Sequence, residues 1–298
     1  MLIRLRNLRP NSLEKHLTMN ESLERSSDEL EVSDRNQGRR NGVARNGHST
    51  GGATPQVRGL LELNPGKRIA NYPMLVIGAS HLSHLAEPFH TLRITLDSWR
   101  ADRSTSVILV TSALSGEGKS YIAFNLAACF ASAGINTLFV DADLRSSTIS
   151  RALNPDSYVG LSNYLADGFE LGDCTYGTST RTLSVLPAGN SPQVVAGAAE
   201  LLGSIRMRQL VSELRANGTY TLVVIDAPAA EPVPDARLLM PLVDGVLPVV
   251  SAYSTPRAVV KQMLQRIDGV PIVGMVLNRF EPPRSRRSSY YYSKARNR

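Results

Sequence analysis

The tightest constraint on this chain lies between residues 107 and 133. A β-branched, apolar run at 107–111 passes through Ser115-Gly-Glu-Gly-Lys-Ser into an alanine-rich stretch with helical spacing at 119–133. A strand that turns through glycines directly into a helix leaves backbone N–H groups at the helix N-terminus pointing at one spot, and that spot favours an anion. The spacing from Ala113 to Ser120 fits G-x-x-x-x-G-K-[ST], with Ala in the first place. Gly116 and Gly118 let the backbone curl around phosphate oxygens. Lys119 is placed to bridge β- and γ-phosphates, and the Ser120 hydroxyl to ligate Mg²⁺. The competing reading is a glycine-rich turn with a chance Lys-Ser pair.

The rest of the chain from about residue 71 supports the same architecture. Short apolar runs at 137–141, 183–186, 221–226, 245–250 and 271–277 alternate with helical patterns at 198–216 and 256–268. Gly134 and Gly218 are placed to end the helices before them, and Pro256 to open the last one. Near-continuous apolar strands alternating with helices predict an α/β fold: a mostly parallel sheet with helices on both faces. Two of these runs end in acid: Val-Asp-Ala-Asp-Leu-Arg at 140–145 and Ile-Asp-Ala-Pro at 225–228. Ligands of open parallel sheets bind beyond the carboxyl ends of the strands. Asp141, Asp143 and Asp226 are therefore expected to converge on metal-bound phosphates, although each alone could simply open a turn.

Charge and composition divide the 298 residues into three parts. Residues 1–70 carry a net +4, residues 71–280 a net −2 and residues 281–298 a net +5, for a total of +7. A nucleic-acid-binding core would carry the positive charge itself, so no nucleic acid is expected as partner. Residues 1–70 read as a largely disordered N-terminal region with one short helix over 11–32. Residues 33–58 are too rich in Gly, Asn, Ser and Arg to offset chain entropy by burial. Residues 71–280 read as the P-loop domain, and 281–298 as a short basic tail rich in tyrosine. Two cysteines, Cys129 and Cys174, are too few for a disulfide framework. No apolar run approaches the length needed to span a bilayer. A cytoplasmic protein is expected, with peripheral contact at the inner face of the membrane as an option for its basic, apolar start. His81 and His84 have metal-like spacing but no third ligand before Glu87, which argues against a metal site there.

The three motifs at 115–120, 140–145 and 225–228 resemble the Walker A, Walker A′ and Walker B segments of the bacterial tyrosine kinases, the autokinases of capsule and exopolysaccharide synthesis. The likeness runs from about residue 87 to 280 and includes Gly160-Leu-Ser-Asn-Tyr-Leu-Ala, Leu186-Pro-Ala-Gly and Gly274-Met-Val-Leu-Asn. It implies a P-loop NTPase fold and Mg²⁺- and ATP-dependent transfer to tyrosine. The nucleotide would be held by Ser115, Gly116, Glu117, Gly118, Lys119, Ser120, Tyr121 and Asn278, with Asn278 at the adenine. Lys119, Asp141 and Asp143 would be catalytic, with Asp141 nearest the incoming phenol. The metal would sit on Ser120, Asp141 and Asp226.

The same resemblance makes Tyr290, Tyr291 and Tyr292 the self-phosphorylated cluster. It implies a separate membrane activator, a polysaccharide co-polymerase whose cytoplasmic tail completes the site. It also implies a homo-oligomer built through Glu87, His90 and Arg93 on the first helix, with Pro88 in that helix's first turn. The chain departs from the family pattern at three places. His90 stands where the family has an arginine, Ala229 replaces a proline after Walker B, and Tyr121 replaces a small hydroxyl residue. These departures keep open a kinase-inactive nucleotide-binding regulator. The Min/Par partition ATPases share the motifs but carry a lysine where this chain has Leu114. Six Lys/Arg in the tail surround the tyrosine cluster. Each phosphate added there cancels about 1.5 to 2 charges. Replacing the six with Gln is expected to slow tail phosphorylation at low salt, measured by the initial rate of phosphotyrosine formation.

Overall fold

The two strands that end in aspartate lie side by side in the middle of a single sheet, with Asp141 paired to Asp226. The computed structural model describes residues 2–3, 61–63, 67–69, 77, 83–148, 150, 158–230 and 235–280. They belong to one compact unit; a second unit, Asn7–Gln56, lies outside the described residues, as do the helix expected over 11–32 and the tail 281–298. In chain order the strands are β1 (Leu2–Ile3), β2 (Leu61–Leu63), β3 (Lys67–Ile69), β4 (Ser106–Ser112), β5 (Thr137–Asp141), β6 (Tyr176–Gly177), β7 (Leu183–Leu186), β8 (Leu222–Asp226), β9 (Gly245–Ser251) and β10 (Met275–Asn278). Eight of them form one sheet in the order β1-β10-β9-β4-β8-β5-β7-β6, and β2 and β3 make a separate antiparallel pair. The pairings from β10 across to β7 are parallel, while β1 and β6 close the two edges antiparallel.

The helices are α1 (Ser83–Arg100), α2 (Lys119–Ser132), α3 (Leu161–Ala166), α4 (Leu171–Cys174), α5 (Gln193–Leu202), α6 (Ile205–Ala216), α7 (Asp235–Leu239) and α8 (Arg257–Arg266). The sheet is covered on both sides. Ile108, Val110, Phe139, Val224, Leu247 and Val249 join one apolar cluster with Phe89, Leu92 and Leu96 of α1 and nearly all of α2. Alternate residues of a strand face opposite ways. Their neighbours Val107, Leu109, Leu138, Val140 and Val223 are just as fully buried, so the second face is packed too. Helix α2 has no polar face: Ile122 through Ala131 are all buried, which its alanine-rich sequence permits.

Several boundaries differ from the sequence reading for local reasons. The stretch 198–216 is two helices, because Ser204 leaves the helical region and its side chain accepts a hydrogen bond from Met207 N at 3.2 Å, starting α6 afresh. In place of the run 271–277 the strand is Met275–Asn278, preceded by an isolated bridge between Val246 and Ile272. Proline at 271 has no N–H to give to a ladder. Helix α1 begins at Ser83, so Pro88 lies inside it rather than in its first turn. The buried stripe of Phe89, Leu92 and Leu96 holds the helix on the sheet despite the missing hydrogen bond. Gly134 and Gly218 follow the ends of α2 and α6 with positive φ, as expected.

Phe139 is fully buried on β5, edge-on to Phe124 of α2 at 5.1 Å between ring centroids. Phe139→Ala is expected to lower stability by about 3–5 kcal/mol in denaturant unfolding.

Candidate functional site

The register of the central strands assembles the site. On β8, Asp226 pairs with Val110 of β4 on one side and with Asp141 of β5 on the other. Three strand ends therefore meet where α2 begins, and Lys119 is that helix's first residue. Gly118 precedes it in the left-handed region, φ 92°, and a Cβ there would lie 2.3 Å from Asn278 Nδ2. Only glycine fits both demands. Ser115, Gly116, Gly118, Lys119, Ser120, Tyr121, Asp143, Ser146 and Thr148 line a cavity of about 270 Å³.

One ammonium faces three carboxylates in this cradle. Lys119 Nζ donates to Asp143 Oδ2 at 2.7 Å, and both side chains are almost wholly buried. Burial alone would lower the lysine, but Asp226, Asp143 and Asp141 outweigh it and hold the ammonium above its usual range. Asp141 Oδ2 accepts from the Ser147 hydroxyl and, at 3.1 Å, from Ser150 Oγ, which itself accepts from Ala188 N at 2.7 Å. Asp143 N donates to Asp141 Oδ1 at 3.3 Å. Both oxygens of Asp226 are buried and make no well-formed hydrogen bond; the Lys119 ammonium and the Ser120 hydroxyl are what oppose the cost of burying it. Burial pushes its carboxyl up to about 8, against the pull of Lys119, and pushes that of Asp141 up to about 6. A buried carboxylate without a well-formed hydrogen bond, beside a serine hydroxyl, is a donor set that suits a hard cation. Among the described residues no three His, Cys, Asp or Glu side chains form a metal-holding group by themselves. Ser120, Asp226 and Asp141 are the residues here that could hold such a cation.

The remaining expected residues fall into distinct places. The Glu117 side chain turns away from the cavity: it accepts from Leu114 N at 2.7 Å, from Ser251 N at 2.9 Å and from the Thr255 hydroxyl. Its side chain thus braces the loop, leaving the Glu117 backbone as the part of the residue that the loop could offer to a phosphate. Asn278 Nδ2 donates to Glu117 O at 2.8 Å, and Arg279 Nη2 to Gly116 O at 2.8 Å. The turn after Asp226 is latched to β4 by Ala227 N to Val110 O, Ala230 N to Ser112 O and Thr111 Oγ1 to Pro228 O, so Ala229 does not leave it loose. Glu87 and His90 are exposed on α1, away from the cradle's lining, and Arg93 pairs with Asp97 at 2.7 Å. Tyr290, Tyr291 and Tyr292 lie outside the described residues.

Sequence reasoning missed Ser147, Ser150, Ser251, Thr255 and Arg279. None sits in a motif, and a hydroxyl in a loop is an ordinary turn residue until its partner is known. It also missed the ion pair of Arg145 with fully buried Asp235 at 2.7 Å, which anchors the loop after β5.

The fold and this cradle define a nucleotide-binding domain of the P-loop class. The model of the CobQ/CobB/MinD/ParA nucleotide-binding domain matches residues 108–295. The chain is 33% identical over 204 residues, 66% of its length, to the succinoglycan biosynthesis transport protein ExoP of Rhizobium meliloti, of which it spans only 25%. It is 34% identical over 172 residues to the tyrosine-protein kinase YwqD of Bacillus subtilis, covering 58% of this chain and 70% of that one. Among solved structures, the chimerical protein CapA2B2 aligns with a TM-score of 0.64 and 31% identity over 71% of this chain and 92% of that one. The chain belongs to the CobQ/CobB/MinD/ParA nucleotide-binding family and, within it, to the bacterial tyrosine-protein kinases.

The raised carboxyls have a consequence for stability. A carboxyl whose pKa is higher folded than unfolded binds more protons in the folded state, so the nucleotide-free domain loses stability as pH rises from about 4 to about 8. Asp226→Asn is expected to flatten that decline in thermal melts between pH 5.5 and 8.5. Equal slopes for the two proteins would mean Asp226 is not the titrating group.

Proposed function

We propose that this chain is an ATP- and Mg²⁺-dependent tyrosine autokinase acting on its own Tyr290, Tyr291 and Tyr292, and that it regulates the synthesis or export of an exopolysaccharide or capsule. The observation that carries this reading is the cradle itself: a buried lysine at a helix N-terminus, beside three carboxylates on adjacent strand ends. Phosphoryl transfer needs little covalent help from a protein and depends on positioning and charge. The loop amides and Lys119 would bind the β- and γ-phosphates. The lysine would leave Asp143 to do so, because a triphosphate offers it more negative charge. Bound Mg²⁺ would supply further neutralisation of the phosphate oxygens.

The transfer forms one bond and breaks one. The acceptor phenol oxygen bonds to the γ-phosphorus, the bond from that phosphorus to the β,γ-bridging oxygen breaks, and ADP leaves. The phenol proton passes to a carboxylate as the transfer proceeds, since a phenol of pKa about 10 is not ionised beforehand. The family likeness gives that task to Asp141. The geometry favours Asp143, which lines the cavity, while Asp141 is tied to Ser147 and Ser150 behind it. Asp141 would then hold Asp143 in place through the Asp143 N–H.

The partner in this reading is a membrane protein of polysaccharide export whose cytoplasmic tail activates the kinase. Among the described residues no helix is long and apolar enough to cross a membrane, so attachment through such a partner, together with the basic first residues, would bring the kinase to the inner face of the membrane. Assembly of copies through Glu87, His90 and Arg93 belongs to the same proposal.

The test is to add Mg²⁺ and ATP to the full chain, with and without the cytoplasmic tail of a membrane partner, and to map phosphotyrosine by mass spectrometry. Label is expected on Tyr290–Tyr292 and is expected to vanish in Lys119→Met. Nucleotide bound without any label, even with the partner present, would leave a nucleotide-binding regulator instead.

A further inference from the structure

Beside the phosphate cavity lies a second cavity of about 290 Å³, to which the reaction described above assigns no step. Its walls come from α1, from the first turn of α2 and from the end of β10: chiefly Leu85, Pro88, Phe89 and Leu92, then Ile122, then Val276 through Phe280. It is mostly apolar, in contrast to the phosphate cavity, whose lining is backbone, hydroxyl and charge. Tyr121 is the residue common to both linings.

The ring of Tyr121 is held in that position. It sits half-buried in the first turn of α2 and meets Phe89 edge-on, with centroids 5.7 Å apart and planes at 64°. The two cavities are also tied together on the far side. Asn278 lines the apolar one, and its Nδ2 bonds to Glu117 O in the phosphate loop. One ring and one hydrogen bond thus connect the two linings. A nucleoside triphosphate has the same two-part chemistry: a polyanion joined through a sugar to a flat base with apolar faces. Among the described residues that line the phosphate cavity, Tyr121 is the aromatic one offered to that base.

We propose that Tyr121 is a specificity-determining residue of the kinase: its ring is the platform over which the sugar and base of the bound triphosphate pass from the phosphate cavity into the apolar cavity. This rests on the nucleotide-dependent reading above. It also turns the departure at 121 from an obstruction into a source of affinity. Stacking on an aromatic ring is tolerant of base identity, so the platform favours possession of a base over a particular one. The hydroxyl is not required, since the ring supplies the surface. Phe89 acts through Tyr121, as the packing partner that keeps the ring from rotating into the phosphate cavity.

The test compares two ligands on the full chain with Mg²⁺, by calorimetry: ATP, which has a base, and inorganic tripolyphosphate, which does not. Tyr121→Ser is expected to weaken ATP by about five-fold or more, the loss expected for one base–aromatic contact, while tripolyphosphate stays within about two-fold. Tyr121→Phe is expected to bind both as the parent chain does. Unchanged or tighter ATP binding in Tyr121→Ser would overturn the proposal, because the ring would then be idle or obstructive. Equal weakening of both ligands would also overturn it, since the effect would run through the phosphate loop. If the parent chain bound neither ligand, the nucleotide reading itself would fail, and that result is distinct from the other two.

Discussion

The structure turns on one buried ammonium set against three buried carboxylates. Lys119 neutralises Asp143, two serines stabilise Asp141, and Asp226 is the least compensated of the three, with no well-formed hydrogen bond to either oxygen. Burying charge without full compensation costs several kcal/mol per ion even after relaxation. The rest of the domain offsets that cost with its core. Helix α2 is buried all round, and the central strands are packed on both faces. Catalytic proteins commonly hold such locally unfavourable arrangements, because the ligand restores the balance. Here the missing compensation is positive charge near Asp226, while the loop amides call for an anion. A metal–triphosphate pair would supply both.

The phosphate loop is shaped from outside itself. Its two glycines permit the curl, but the curl is held by Glu117 reaching to Ser251 and Thr255 after β9, and by Asn278 and Arg279 at the end of β10. Those partners lie more than 130 residues further along the chain. Donors fixed in advance bind a developing charge without reorganising when it forms. Strain collects at the same rim: Tyr253 and Arg279 are the non-glycine residues with positive φ among those described, and each follows a strand that supports the loop. Residues held in that region tend to cluster at functional sites.

Much of this is legible in the sequence. The glycines, lysine and serine of the loop mark a phosphate site because their spacing and the flanking strand and helix are local properties. The acidic strand ends are legible for the same reason: a carboxylate that closes an apolar run contributes nothing to the core and points to a ligand or a turn. The inward turn of Glu117 is not legible, since a loop glutamate next to a phosphate motif reads as a surface residue. Neither is the serine pair on Asp141, which lies six and nine residues beyond it and meets it only because the loop folds back. The split between α5 and α6 escapes the sequence reading because the apolar pattern runs through it, while one serine side chain restarts the hydrogen bonding.

The sequence by itself determined the class of fold, the identity of the phosphate loop and the residues able to carry charge there, because strand–helix alternation and motif spacing act over a few residues at a time. Tertiary structure alone decided which carboxylate faces the cavity, which is least compensated, and what Tyr121 touches. Those outcomes depend on register between strands far apart in the chain, on burial that moves a carboxyl's proton affinity, and on the packing of α1 against α2. None of these is a property of any short stretch of residues.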